Sequence, residues 1–292
     1  MPATLAPPSA AQPDVPSAIG QLVLLGHPVA HSLSPRFQNA ALRAAGIPLT
    51  YRAADVAPHA LPGVLDALVA ARAAGNVTLP HKEAVAARCD LRTPLAARVG
   101  AVNTYWCTLD GALWGDNTDV AGVDASVRQL FGGRVPAGQR VALLGAGGSA
   151  AAVLAAAESW PDARVRVWSR TRERADALTQ RFPAVAHAVD ALADALDRAT
   201  LVVNATPLGI RPDDVLPAPP AALGTDAAVL DLVYRPGETR WVHAVRASGR
   251  RAIDGLPMLI AQGAASFVRW FGVAPDTEAM WAAVGGRPAG SS

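Results

Sequence analysis

Apolar stretches of strand length alternate with amphipathic stretches of helix length in the first third of the chain. They predict a strand, a helix, a strand, a helix and a strand over Gln21–Gly26, Ser34–Gly46, Leu49–Val56, Leu61–Ala74 and Asn76–Leu79. Ser34 and Pro35 supply the cap and the first-turn proline of the first helix, and Gly75 closes the second. This alternation predicts an α/β unit.

A hairpin and a second alternating series follow. Val102–Thr108 and Ala112–Gly115 flank a Leu-Asp-Gly turn, which predicts a hairpin before a helix that begins near Asp119. The later pattern predicts strands over Arg140–Leu144, Arg164–Trp168, Leu201–Asn204 and Val229–Leu232, with helices over Ser149–Ser159 and Arg172–Arg181. Strands that alternate with helices in this way predict a doubly wound parallel sheet. A last helix, Pro257–Phe271, is long enough to pack back on the first unit.

The fold class is therefore α/β, with two α/β domains and a cleft between them. We expect residues 19–120 plus 256–285 to form one domain and residues 121–255 to form a second, Rossmann-like domain. Residues 1–18 carry five prolines and neither Lys nor Arg, and are expected to form a disordered tail rather than a signal peptide. A length of 292 residues suits two modest domains.

Charge and cysteine content exclude several classes of protein. The formal net charge is only +2 and charged residues make up 17% of the chain, so nucleic acid and anionic membranes are not expected partners. The longest uncharged apolar run, Val141–Ala157, is short for a membrane span and contains a glycine cluster. Two cysteines without a CxxC pair predict neither a disulfide scaffold nor a metal site and fit a reducing cytoplasm. The pattern leaves a monomer and a homodimer both open.

One cation stands apart from the rest. Of the 26 Lys plus Arg residues, Lys82 is the only lysine. An arginine cannot release its proton in a protein, whereas the pKa of a lysine amine can be tuned for proton transfer. Lys82 is thus a candidate acid or base, and the alternative is that it is an ordinary surface lysine.

A glycine-rich turn joins the strand Arg140–Leu144 to an alanine-rich helix. It consists of Gly145, Ala146, Gly147, Gly148 and Ser149. Backbone N–H groups in such a turn can approach a pyrophosphate, and the dipole of the helix favours the negative charge. A tight turn that binds no ligand would also use glycine.

The end of the next strand favours NADP over NAD. An NAD-binding protein typically places a carboxylate there for the ribose, whereas this chain has Ser169, Arg170, Thr171, Arg172 and Arg174 around the turn. Arginines can hold a 2′-phosphate through charge-assisted hydrogen bonds. The alternative is a solvated basic helix start, although cations at a helix N-terminus oppose its dipole.

Polar side chains that suit proton transfer come directly after strands. Thr78 and Lys82 follow the third predicted strand, at the sheet edge where ligands bind in open α/β folds. Asp119 follows the hairpin and can pair with Lys82, which would form a proton-transfer pair in a cleft. Asp119 could instead cap the following helix, and Asn103 could be an ordinary turn amide.

Six motifs carry a resemblance to a known family. They are Gly26–Pro35, Asn76–Lys82, Gly100–Thr104, Gly115–Asp119, Asn204–Gly209 and Asp231–Pro236. In their order, and over essentially the whole folded chain, they resemble the shikimate dehydrogenase family. The resemblance implies a substrate domain formed by the N-terminal part and the C-terminal helix, with an NADP-binding domain between.

The resemblance also assigns residues to roles. It places the substrate carboxylate on Ser32 and Ser34, and the ring hydroxyls on Thr78, Lys82, Asn103 and Asp119, with Tyr234 and Gln262 completing the pocket. It adds Val233 and Gly255 to the cofactor site. Ser169 stands where the family usually has asparagine, so the contact on the adenosine side differs here.

The expected activity is the reversible reduction of 3-dehydroshikimate to shikimate with NADPH, on the route to chorismate and the aromatic amino acids. Lys82, oriented by Asp119, is expected to donate a proton to the ketone oxygen. Two alternatives stay open: a related enzyme that acts on quinate or another ring acid, with NAD, and a nucleotide-sensing module without catalytic activity.

Overall fold

Residues 19–286 of the chain fold around two six-stranded sheets. A computed structural model describes residues 19–286, so the predicted tail at 1–18 lies outside the described residues. Strands of the first sheet are β1 (Gln21–Gly26), β2 (Tyr51–Asp55), β3 (Ala73–Val77), β4 (Leu91–Arg92), β5 (Thr104–Cys107) and β6 (Leu113–Asp116). Their order is β2-β1-β3-β5-β6-β4. Strands β5 and β6 form the predicted antiparallel hairpin, and β5 also runs antiparallel to β3.

Four helices accompany this sheet, and two of them are short. They are α1 (Ser34–Ala44), α2 (Leu61–Ala70), α3 (Lys82–Arg88) and α4 (Pro94–Val99). The hydrophobic pattern predicts α1 and α2, while α3 and α4 are too short to produce a recognisable period.

The boundary predicted between α2 and β3 is wrong. Helix α2 ends at Ala70, and Ala73 and Ala74 are the first residues of the strand. Gly75 does not close a helix, because it lies inside β3, where a Cβ would meet the Val23 carbonyl oxygen at 1.8 Å. Because Gly75 has no side chain, the β1 and β3 backbones can approach each other closely.

The second sheet is entirely parallel, as the alternating pattern predicts. Its strands are β7 (Arg140–Leu144), β8 (Arg164–Trp168), β9 (Ala186–Ala188), β10 (Leu201–Asn204), β11 (Ala228–Asp231) and β12 (Ala252–Ile253), in the order β12-β11-β10-β7-β8-β9. The helices are α5 (Asp119–Leu130), α6 (Gly148–Ala157), α7 (Arg172–Gln180), α8 (Leu192–Leu196) and α9 (Arg240–Ala247). The order reverses beside β7, which is where this class of sheet binds nucleotides.

Two C-terminal helices return to the first sheet. Helix α10 (Leu256–Phe271) packs along α5, and α11 (Thr277–Ala283) packs on α1. Phe267 and Trp270 of α10 are fully buried in one cluster with Phe37 and Trp106. The prediction that the last long helix packs on the first unit is confirmed. Within residues 19–286, we find no helix with the length and apolar character that a bilayer crossing requires.

Candidate active site

Lys82 and Asp119 form a partly buried ion pair. Lys82 is the first residue of α3 and Asp119 the first of α5, and Lys82 Nζ lies 2.5 Å from Asp119 Oδ2. Only 13% and 5% of the two side chains are exposed. The N-cap of α5 is Thr118, and the Asp119 carboxylate turns to the lysine. The predicted pair therefore exists, and the simple capping role for Asp119 is wrong.

Asn103 holds the other oxygen of the Asp119 carboxylate. Its Nδ2 donates to Asp119 Oδ1 at 2.8 Å and lies 3.1 Å from Gln262 Oε1. Its Oδ1 accepts the Thr118 backbone N–H at 2.7 Å, which fixes which way the amide faces. Asn103 is thus a buried link between the ion pair and α10, rather than an ordinary turn amide.

The second carboxylate of the motif, Asp116, is not available to the cleft. Its Oδ2 accepts a hydrogen bond from Arg269 Nε at 2.8 Å and lies 2.7 Å from Arg269 Nη2 in an ion pair. Its Oδ1 accepts the Thr93 hydroxyl at 2.5 Å and the Asn117 backbone N–H at 2.8 Å. Asp116 therefore anchors the turn that carries Asp119. Sequence reasoning missed its partner, since Arg269 lies 153 positions away.

Ser32, Ser34 and Tyr234 lie together, although Tyr234 comes from the loop after β11. The Ser34 backbone N–H donates to Ser32 Oγ at 3.2 Å. Burial raises the pKa of Tyr234, while its contacts with Ser32 and the Leu33 backbone act in the opposite direction. Hydroxyl and N–H donors at the start of α1 suit a carboxylate.

Sequence reasoning missed the residue that supports the loop over positions 27–33. Asp55 Oδ1 lies 2.5 Å from His27 Nδ1, and Asp55 Oδ2 accepts the Val29 backbone N–H at 3.3 Å. The hydrogen bond from His27 lowers the pKa of Asp55. Gly26, the residue before this loop, pairs with Asp55 across the parallel strands β1 and β2. Prediction of that strand pairing would have placed Asp55 beside the loop.

Thr78 and Gln262 are the remaining predicted substrate contacts. Thr78 directly follows β3, and a Cβ on Gly26 would lie 2.5 Å from its methyl group, so the glycine makes room for this side chain. Gln262 is a buried residue of α10 whose Nε2 donates to the Leu259 carbonyl at 2.8 Å. Its Oε1 faces Asn103, as described above.

The glycine turn lies against the ion pair. Gly145 has a φ of +111°, and a Cβ there would be 2.8 Å from the Ala205 carbonyl oxygen, so only glycine fits without strain. A Cβ on Gly147 would meet open space. A Cβ on Gly148, where α6 begins, would lie 3.8 Å from Lys82 Cδ. The predicted nucleotide turn and Lys82 are therefore direct neighbours.

The three arginines in the turn after β8 differ in their ion-pair partners. Arg172 forms ion pairs with Asp176 and Asp190. Arg170 and Arg174 are exposed and make no side-chain ion pair with any residue in the range 19–286. The Ser169 hydroxyl accepts the Thr171 backbone N–H at 3.3 Å. Two of the three arginines are thus free for a phosphate, and the third is committed to carboxylates.

Val233 and Gly255 adjoin each other at the end of β11. The Gly255 N–H donates to the Val233 carbonyl at 2.9 Å, and a Cβ on Gly255 would lie 2.3 Å from the Leu232 carbonyl oxygen. Asp231 lies beneath them, fully buried, and accepts hydrogen bonds from Asn204, the Val233 N–H and Thr239. Burial raises the pKa of Asp231 to about 6.

Asp231 gives a testable pH dependence of stability. Its pKa is about 6 in the folded chain against 3.8 for a free side chain, so the folded state binds the proton more tightly. Its contribution to stability is complete below about pH 4 and is lost as the pH rises through about 6. We expect Asp231→Asn to flatten the fall in the free energy of unfolding across that window. Urea unfolding at several pH values measures it, with exposed Asp226→Asn as the control; equal slopes in both variants would contradict this assignment.

A parallel sheet with a glycine turn at its switch point, facing a buried lysine–carboxylate pair, is the arrangement of a nicotinamide-dependent oxidoreductase. Residues 24–105 match the Shikimate dehydrogenase substrate binding domain, and residues 255–284 match the Shikimate 5'-dehydrogenase C-terminal domain. Together with the relatives below, these matches show that the chain belongs to the shikimate dehydrogenase family.

Relatives and solved structures agree on this family. Shikimate dehydrogenase (NADP(+)) from Methylobacterium radiotolerans is 42% identical over 257 residues, which cover 86% of this chain and 91% of the relative. The crystal structure of shikimate 5-dehydrogenase from Thermus thermophilus with NADP(H) and shikimate is 40% identical, with a TM-score of 0.79 over 90% of this chain and 97% of that one. Quinate dehydrogenase from Corynebacterium glutamicum with NAD is 29% identical, with a TM-score of 0.82 over 91% and 98%.

Proposed function

We propose that this protein catalyses the reversible, NADPH-dependent reduction of 3-dehydroshikimate to shikimate. The observation that carries the proposal is the position of Lys82, which touches Asp119 on one side and lies beside the glycine turn at Gly148 on the other. A proton donor and a nucleotide-binding turn must meet in this way if a ketone is to be reduced between them.

The residues around the pair define a site for a polyhydroxylated ring acid. Ser32, Ser34 and Tyr234 bind its carboxylate, while the ring hydroxyls contact Thr78, Lys82, Asn103, Asp119 and Gln262. The set contains several neutral donors and acceptors and little apolar surface, which suits a ring that carries hydroxyl groups.

Lys82 moves the proton of the reaction. In the reducing direction its Nζ donates a proton to the ketone oxygen as that oxygen gains negative charge, and in the reverse direction it accepts the hydroxyl proton. Asp119 keeps the amine oriented, and Asn103 holds the carboxylate so that it faces the lysine. Substrate binding excludes water from a pair that is already mostly buried, which strengthens their electrostatic interaction.

The residues present fit NADP. The positive φ of Gly145 and the open space at Gly147 leave room for a pyrophosphate at the start of α6, where Ala146, Gly148 and Ser149 present backbone N–H groups. Arg170 and Arg174 hold the 2′-phosphate, Ser169 and Thr171 contact the adenosine side, and Val233 and Gly255 adjoin the nicotinamide end. When bound, NADPH supplies the two electrons and the hydrogen that reduce the ring ketone.

Under this proposal, residues 19–120 with 256–285 bind the substrate and residues 121–255 bind the cofactor, in the cytoplasm. The packing of α11 on α1, and the burial of Phe267 and Trp270 of α10 in the core of the first sheet, support the first assignment. The all-parallel second sheet supports the other.

The proposal is tested by following the absorbance of NADPH as purified protein oxidises shikimate in the presence of NADP. Quinate and NAD serve as the alternative substrate and cofactor in parallel. We expect turnover with shikimate and NADP to exceed every other combination. Preference for quinate with NAD would instead place the protein beside the quinate dehydrogenases, and NADP binding without any turnover would indicate a sensing module.

A further inference from the structure

A buried hydroxyl, that of Ser266, lies behind the site at the centre of a polar cluster. Ser266 is on α10 and is fully buried. Its Oγ donates to the Gln262 carbonyl at 2.9 Å and accepts from Asn76 Nδ2 at 2.9 Å. It also lies 2.8 Å from the Thr104 hydroxyl and 3.0 Å from the Thr118 hydroxyl. Four elements of the fold therefore meet at one atom.

The two threonine hydroxyls connect Ser266 to Asn103. Thr104 Oγ1 and Thr118 Oγ1 lie 3.1 and 3.2 Å from Asn103 Oδ1, and each hydroxyl has a single hydrogen to donate. Ser266 gives its own hydrogen to a carbonyl and has two lone pairs, one of which takes the Asn76 amide. The two threonine hydroxyls also lie 3.0 Å from each other. When one threonine donates to Ser266, the other can donate to Asn103 Oδ1, and every hydroxyl of the cluster then has a partner.

The Thr118 backbone N–H and the Asp119 carboxylate fix the orientation of the Asn103 amide, and a threonine hydroxyl is a further donor to its oxygen. Its Oδ1 must face the Thr118 N–H and a threonine hydroxyl, so its Nδ2 must face Asp119 and Gln262. Rotating the amide would direct Nδ2 at the Thr118 N–H and would leave buried donors unpaired, which is costly in a dry site. Ser266 is the acceptor that makes the arrangement complete.

We propose that Ser266 is a positioning residue, which acts through Thr104, Thr118 and Asn103 to hold the Asp119 carboxylate and the ring-hydroxyl contacts in place. It does not touch the substrate or the ion pair. Helix α10 thus contributes to the site through Ser266 as well as through Gln262. The inference rests on the proposed role of Asn103.

The first test compares Ser266→Ala with a matched control, Ser126→Ala. Ser126 is also fully buried, on the adjoining helix α5, and donates to the carbonyl four residues before it at 2.9 Å, but its hydroxyl has no further partner within residues 19–286. We expect Ser266→Ala to raise the KM for shikimate and to lower kcat/KM by about 5- to 10-fold. The KM for NADP and the kinetics of Ser126→Ala should stay at the wild-type values.

The KM separates positioning from a loss of stability. Partial unfolding would reduce the active fraction, and therefore kcat, but would leave the KM for shikimate unchanged. If Ser266→Ala does not fold, Thr104→Val removes a hydroxyl of the same cluster with little change of shape, and the same rise in KM is expected. A wild-type KM for shikimate in the folded variant would overturn the proposal.

A double-mutant cycle tests the route through Asn103. In an Asn103→Ala background, Ser266→Ala should have little further effect on kcat/KM, because the proposed route from Ser266 to the Asp119 carboxylate runs through Asn103. Additive losses would overturn the inference. Wild-type activity of Asn103→Ala alone would instead reject the proposed role of Asn103, so the two failures are distinguishable.

Discussion

Replacement of Lys82 by alanine is expected to lower kcat for shikimate oxidation by about 10²- to 10⁴-fold, the usual contribution of a positioned acid or base. The KM for shikimate should change far less, because Ser32, Ser34 and Tyr234 hold the carboxylate end without the lysine. Steady-state kinetics on folded protein, checked by circular dichroism, measure both constants. Turnover that is unchanged in this variant would refute the assignment of Lys82.

Two further variants, Lys82→Arg and Arg88→Ala, test whether the loss of turnover is specific to the Lys82 amine. Arginine preserves the charge beside Asp119 but cannot release a proton, so Lys82→Arg should be nearly as inactive as Lys82→Ala. Near-normal turnover of Lys82→Arg would show that charge alone suffices. Arg88 lies on the same helix and pairs with exposed Asp66, so Arg88→Ala should retain full activity.

Removal of both Arg170 and Arg174 is expected to raise the KM for NADP by about 100-fold, through loss of charge-assisted hydrogen bonds to the 2′-phosphate. The kinetics with NAD should hardly change, since NAD has no phosphate at that position. The preference for NADP over NAD would therefore collapse. Initial rates at varied NADP and NAD concentrations measure it.

Arg172→Ala is the matched control for this variant. It removes a third arginine from the same turn, but one that Asp176 and Asp190 already neutralise, so the KM for NADP should stay within a few-fold of wild type. A loss as large as that of the double variant would mean that NADP draws Arg172 away from its carboxylates. An unchanged preference in the double variant would place the 2′-phosphate elsewhere.

The larger elements of this fold were predictable, but short and alanine-rich segments were not. Strand–helix alternation from Arg140 onward predicts the parallel sheet, since the central strands β7, β10 and β11 are mostly apolar and buried. Ala73 and Ala74 continue the pattern of a helix, and it is their pairing with β1 and β5 that makes them a strand. The two-residue strands β4 and β12 exist through their neighbours alone.

Some contacts of the candidate site were also predictable from the sequence, and others were not. The pairing of Lys82 with Asp119 followed from chemistry, because a single lysine and a nearby carboxylate both stood at strand ends. The distant partners of Asp116 and Asn103 did not, since Arg269 and Gln262 lie 153 and 159 positions along the chain and show no local signal of these contacts. Arg172 was predicted as a phosphate ligand because the sequence does not reveal that Asp190 lies beside it.

Because α10 packs against the first sheet, the site is completed only after the C-terminal part of the chain has been synthesised. Gln38 donates to the Gly263 carbonyl, 225 positions later, and Phe37 fills the space that the absent side chain of Gly263 leaves. On the ribosome, the first sheet emerges long before α10, so the apolar surface around Phe37 and Trp106 stays uncovered while the second sheet is made. Premature termination before residue 256 would therefore leave a nucleotide-binding sheet without a working catalytic centre.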